Sequence, residues 1–247
     1  MPSQISTLPD ETLAAIFEAG LALTKKRYIV SWNGFHPRRD KPFEILVSSV
    51  SRRWRQVALQ TPRLWTDMRI NVSKFNSGYM LDLYLSRSKS CFVDIAFAQL
   101  GPDERKYDHF DTNNFAWCLR KLVPCAARWR QIVVEGVSVM PATFSPLAGL
   151  YAPALETLVM DCYCHPQVME VFSAGAPLLS SMELVETYFV PPLDKVISLK
   201  VGVRHAQLSH ADFNCLMSHM RSLTSFLGCG GSAHIRSPSP PSISSYY

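Results

Sequence analysis

No stretch of the 247-residue chain approaches the ~18 to 20 consecutive apolar residues that a membrane-spanning helix needs. No secretory signal opens the sequence either. Its seven cysteines, Cys91, Cys118, Cys125, Cys162, Cys164, Cys215 and Cys229, are odd in number and follow no repeating spacing, which speaks against a disulfide framework. A soluble protein of a reducing compartment, cytoplasm or nucleus, with free thiols and no membrane partner, is therefore expected. GxGxxG, the P-loop, GxSxG and HExxH are all missing, so no cofactor is expected and an enzyme reading gains no support. Cys162-Tyr163-Cys164-His165 gathers two thiols and an imidazole but lacks the second ligand pair of a tetrahedral zinc site, and no metal is expected. Charge is also sparse, at 18% Asp, Glu, Lys and Arg with a net charge of +5. With 47% hydrophobic residues, the chain builds a sizeable core and leaves some surface needing a partner.

What is present centres on residues 43–65. Phe43, Val47, Val50, Trp54 and Val57 recur at intervals of four and three, with Leu46, Ala58 and Leu64 beside them, the stripe of an amphipathic helix. Glu44, Ser48, Ser49, Ser51, Arg52, Arg53, Arg55 and Gln56 form the face expected in water. Thr61-Pro62 stops the helix, because proline lacks an amide and biases its predecessor away from helical dihedrals. Upstream, Thr7-Leu8-Pro9-Asp10 predicts a helix start, with Leu13, Ile16, Phe17 and Leu21 along one side.

Taken together, Leu8-Pro9 followed by Glu11, the Ile16-Phe17 pair, Val50-Ser51-Arg52-Arg53-Trp54-Arg55 and Thr61-Pro62-Arg63-Leu64-Trp65 resemble the F-box of substrate receptors in SCF-type ubiquitin ligases. The form is that of large fungal, basidiomycete-type families. The resemblance implies a non-catalytic substrate-recognition subunit that binds a Skp-type adaptor, and through it a cullin scaffold, while its remainder presents an unknown protein substrate. Carried across by position, adaptor contact falls to Leu8, Pro9, Ile16, Leu46, Val47, Val50, Trp54, Leu64 and Trp65. Sequence leaves open which of these face the adaptor and which the interior. Two other readings stay open: an adaptor-binding structural or regulatory protein that ubiquitinates nothing, and a nucleic-acid-associated protein.

The last of these rests on residues 24–42, where Lys25, Lys26, Arg27, Arg38, Arg39 and Lys41 surround Trp32 and Phe35 with Asp40 the lone acid. Cations for phosphates and rings for stacking suit a nucleic-acid reader, but the segment reads first as a solvated insertion between helices.

Beyond Trp65, residues 66–72 and 91–97 read as strands, residues 73–88 carry helical spacing, and a helix starting at Asp111 or Thr112 buries Phe115, Leu119, Leu122 and Ala126. Then a repeat begins. Trp129, Leu155, Leu179, Val196 and Leu223 each open an LxxLxL-like strand, the last incomplete, at intervals of 26, 24, 17 and 27 residues. This is leucine-rich-repeat spacing except for the 17, which marks a shortened or misread unit. First and fourth positions should line the interior of a stacked solenoid. Ala152-Pro153-Ala154 and Ala176-Pro177-Leu178 look like the turns that lead into such strands. The expected fold is α+β: a small helical F-box over 1–66 with the basic insertion at 24–42, then an α/β leucine-rich-repeat-like solenoid over 67–228. Serine, glycine and proline dominate 229–247, predicting disorder. The array halts before this tail with no visible cap, the pattern of a truncated or alternatively spliced chain.

Overall fold

Three short helices open the fold. Asp10–Lys25 forms α1, with Asp10 and Glu11 in the first turn against the positive end of the helix dipole. Leu13, Phe17 and Leu21 are buried, one turn apart on a single stripe. The continuous helix expected from residue 43 onwards is instead two, α2 (Phe43–Val50) and α3 (Arg52–Gln60). Ser51 divides them: its extended backbone (φ −154°, ψ 168°) ends α2, and its hydroxyl accepts the Trp54 amide at 3.1 Å as the N-cap of α3. The break re-aims the apolar stripe, so Val47 and Val57 are buried while Val50 is exposed. Glu44, expected in water, is buried. Pro62–Trp65 then forms a 3-10 turn that ends with Trp65 fully buried.

Strands and helices alternate as far as β3, and strands follow one another after it: β1 (Asp67–Asn71), α4 (Ser77–Ser88), β2 (Val93–Ala98), α5 (Thr112–Leu122), β3 (Trp129–Ser138), β4 (Thr157–Tyr163), β5 (Met169–Glu170), β6 (Ser181–Val185), β7 (Phe189–Val190), β8 (Ser198–Val203) and β9 (Ser225–Gly230). The computed structural model describes residues 7–25, 42–72, 77–98, 112–138, 140–163, 169–185, 189–190, 194–203, 214, 218 and 221–230. Among these, seven strands form one all-parallel sheet in the order β1-β2-β3-β4-β6-β8-β9, and β5 and β7 pair separately.

The register explains the repeat spacing. Met68, Ile95, Ile132, Leu158, Met182, Leu199 and Phe226 lie side by side across the seven strands, and all but Phe226 are buried. Ile70, Phe97, Val134, Met160, Leu184 and Val201 make a second column two residues on, as side chains alternate along a strand. Trp129, Leu155, Leu179 and Val196, the repeat-opening residues, are buried just before their strands. All five expected repeat strands are present, and β1 and β2 extend the array towards the N-terminus. The 17-residue interval is a shortened connection and not a slip, since β6 and β8 pair in register with Ser181 beside Ser198. Both Ala-Pro turns have the same geometry: the Leu155 amide donates to the Ala152 carbonyl at 3.2 Å, and that of Leu179 to Ala176 at 3.1 Å.

The architecture is α/β and compatible with a leucine-rich-repeat-like arrangement. Helices do not segregate from the sheet as an α+β division would require: the buried apolar residues form one cluster running from Leu13 in α1 to Leu199 in β8. Among the described residues, no helix is long and apolar enough to cross a membrane. Most of the basic insertion (26–41), Cys164, His165 and residues 231–247 lie outside the described residues. β9 runs to Gly230, two residues into the segment expected to be disordered.

Candidate functional site

The helical end is fixed by contacts among α1, α2, α3 and α4. α2 nests against α1 where Gly20 removes a side chain: a Cβ there would come within 2.4 Å of the Phe43 ring. Val47 points into the core beside it. One turn earlier Glu44 is inserted beneath α2, where its carboxylate accepts the Tyr84 hydroxyl from α4. Burial holds the Glu44 carboxyl above its ordinary 4.5, and the Tyr84 and backbone hydrogen bonds oppose that only in part; Asp67 adds to the shift and Arg69 offsets it. Burial and the Glu44 charge likewise push the Tyr84 hydroxyl up. The Tyr84 ring meets the edge of Trp65 at 5.4 Å, and the Arg87 guanidinium lies 4.1 Å over the Trp65 ring. Trp65 Nε1 donates to the Ala58 carbonyl at 2.9 Å, tying this pillar to α3.

The start of α1 is tied to α3 in turn. Arg53 Nη2 and Nε both donate to Asp10 Oδ1, at 2.7 and 2.9 Å, and Nη2 also donates to the Leu8 carbonyl. Partly exposed as it is, this pair orients more than it stabilises. Trp54 packs on Phe17 with ring centroids 5.0 Å apart.

These ties divide the nine residues that the F-box resemblance nominates. Val47, Leu64 and Trp65 are interior and offer nothing to a neighbour. Leu8 and Trp54 are half-buried, and Pro9 is exposed. Ile16, Leu46 and Val50 are 49%, 45% and 61% exposed. Leu46 and Val50 lie one turn apart on α2, and Ile16 lies one turn before Gly20 on the side of α1 that meets α2. Ile16 therefore leaves the stripe it was expected to share with Leu13 and Phe17. Sequence reasoning missed Glu44 and Tyr84 as the anchor of this end. Glu44 is a charged residue read as part of the watered face, Tyr84 an aromatic in an apolar helix, and nothing in their spacing links positions 40 apart.

The outward face of the sheet is a second surface. Row by row it carries Thr157, Ser181, Ser198 and Ser225 as a ladder of hydroxyl-bearing positions, and Ala96, Val133 and Val159 as a small apolar floor. Charges frame it in pairs: Arg130 on Asp94 through two bonds of 2.8 and 2.6 Å, and Lys200 on Glu183 at 3.1 Å. Among the described residues no three His, Cys, Asp or Glu side chains gather as metal ligands, and Cys162 is buried. No family model, no curated protein and no solved structure matches the chain.

Proposed function

We propose that the chain is a substrate-recognition subunit of an SCF-type ubiquitin ligase, with the helical end docking on a Skp-type adaptor and the leucine-rich-repeat-like sheet presenting a protein substrate. The observation that carries this reading is the exposure of Ile16, Leu46 and Val50 on helices whose opposite sides are packed. Such a face loses apolar area to water until a partner covers it. It coincides with the stretch where the F-box resemblance was read. The subunit's contribution is proximity: tethering a target near the charged conjugating enzyme raises the effective concentration of the attacking lysine.

The test is co-purification with the adaptor. Leu46→Asp with Val50→Asp places two carboxylates in the apolar face without touching a buried residue, so binding is expected to fall at least tenfold while the thermal midpoint stays unchanged. Interface anchors of this kind are worth ~2 kcal/mol or more. A folded double variant that still co-purifies with the adaptor would count against the proposal. Trp54→Ala is a poorer probe, because its ring also supports Phe17 and its removal unsettles the fold.

A further inference from the structure

The end of the sheet at which β1, β2 and β3 begin is basic, and we infer that it is a docking surface for an acidic protein segment, an extended stretch of Asp and Glu with an apolar residue among them. No Asp or Glu occurs over residues 52–66, 83–93 or 112–134, the stretches through which the chain enters these three strands. The strands are adjacent and parallel, so their beginnings lie side by side and bring Arg63, Arg87, Lys89 and Arg128 together. Side-chain contacts fix this juxtaposition. The Arg87 guanidinium lies 4.1 Å over the ring of Trp65, two residues on from Arg63. Arg128 Nη1 donates to the Lys89 carbonyl, and to the Ser88 hydroxyl and the Cys91 carbonyl at 3.3 Å each.

Positive charge is in excess there. Arg130, the next cation along, is matched by Asp94 through two hydrogen bonds. Glu18 approaches Arg63 only to 3.5 Å, and the Arg63 side chain stays 75% exposed. Among the described residues Arg87, Lys89 and Arg128 form no ion pair. The acceptors that hold Arg128 are carbonyls and a hydroxyl, which orient its charge without cancelling it. Lys89 is exposed, and Phe92, one residue before β2, presents a ring that is 56% exposed. At β4 the sign changes, because the exposed Glu156 immediately precedes that strand. This extent decides between two kinds of polyanion. Strands about 4.8 Å apart put β1 and β3 about 10 Å from each other, the length of roughly three residues of extended chain. Single-stranded nucleic acid is held along grooves of about 4 to 16 nucleotides, longer than a surface that Glu156 bounds. A short acidic segment fits, its carboxylates on the guanidinium and ammonium groups and its apolar side chain on Phe92.

The probe is a fluorescein-labelled peptide in which glutamates flank a single phenylalanine, and its anisotropy is followed as the full chain is added. Binding is expected, weakening about tenfold between about 0.05 and 0.3 M salt as the charges are screened. Arg63→Gln with Lys89→Gln is expected to weaken it about tenfold and to flatten the salt dependence, with the thermal midpoint unchanged because both side chains are exposed. Lys89→Gln alone, which breaks no ion pair and leaves the carbonyl that holds Arg128, is expected to weaken it about threefold. Phe92→Ser is expected to weaken binding and leave its salt dependence as it was. Absence of binding, or binding that survives the double substitution, overturns the inference. Binding lost only when the cations of residues 24–42 are neutralised overturns it too. A single-stranded oligonucleotide of equal charge that binds through Arg63 and Lys89 more tightly than the peptide would assign the surface to nucleic acid, and the inference fails. The measurement needs no adaptor and leaves Ile16, Leu46 and Val50 untouched, so its outcome is independent of the ligase reading.

Discussion

Glu44 is the residue on which the helical end is pinned, and it is pinned at a cost. Its carboxyl is nearly inaccessible, has one side-chain donor in Tyr84, and faces Asp67 and Arg69 from β1. Because burial raises its pKa, the folded chain holds this proton more tightly than the unfolded chain does. Stability is then fully present below the ordinary value of 4.5 and declines as the pH rises through the folded-state value. Glu44→Gln keeps the shape and the acceptor for Tyr84 while removing the charge. Thermal melts should therefore show the variant more stable than the wild type at pH 7, with the difference shrinking as the pH falls below 4.5. Tyr84→Phe should move the other way at pH 7, by about 1 to 3 kcal/mol, since it strands a buried acceptor. A wild-type midpoint indifferent to both substitutions would mean that the Glu44 carboxyl is hydrated and not anchored.

Among elements, the inner column of the sheet sets what each repeat contributes. Leu158 sits mid-column between Ile132 and Met182 with 1% exposure, whereas Phe226 ends the column at 45%. Leu158→Ala should cost about 2 to 5 kcal/mol, the range for a leucine removed from a closed core. Phe226→Ala should cost less, about 1 to 2 kcal/mol, although phenylalanine is the larger side chain, because nearly half of it stays exposed. Urea unfolding of the two variants decides it, and equal losses would mean that exposure does not grade what each position contributes. The column was legible in the sequence because a strand repeat fixes side-chain direction by parity alone: the spacing of Trp129 to Ile132 and Val134 recurs at Leu155, Leu179 and Val196. The break at Ser51 was not legible. A serine is tolerated within a helix, and the apolar spacing runs on through it from Val47 to Trp54, so only the cap bond to the Trp54 amide reveals the turn. Nor was it legible that Val50 is exposed while Val47, Leu64 and Trp65 are buried. The exposed residues of the candidate site, Pro9, Ile16, Leu46 and Val50, were named from the F-box pattern, but its anchor depends on a contact between α2 and α4 that no local pattern encodes.

Among the described residues the buried apolar side chains form one core, which makes the helical end dependent on the sheet. Trp65 closes the helices, yet its cover comes from Tyr84 and Arg87 on α4, beyond the first strand. Glu44 likewise finds its donor there. A fragment ending before α4 would expose Trp65 and leave Glu44 without its hydroxyl, and small helical units that lose core area have little stability in reserve. Residues 1–72 alone are therefore expected to lack a cooperative transition and dispersed amide resonances, while the full chain unfolds in one step. Trp54 and Trp65 report on the helices and Trp117 and Trp129 on α5 and β3, so tryptophan fluorescence samples the helices and the adjoining part of the sheet and should coincide with far-ultraviolet circular dichroism through the transition. Two separated transitions, or a folded 1–72 fragment, would mean that the helices are an autonomous unit and that the pillar of Glu44, Tyr84, Trp65 and Arg87 only decorates a boundary. Coincident transitions would instead mean that a partner docked on Ile16, Leu46 and Val50 is held at a fixed attitude to the outward face of the sheet, because α2 cannot tilt without withdrawing Glu44 from beneath it.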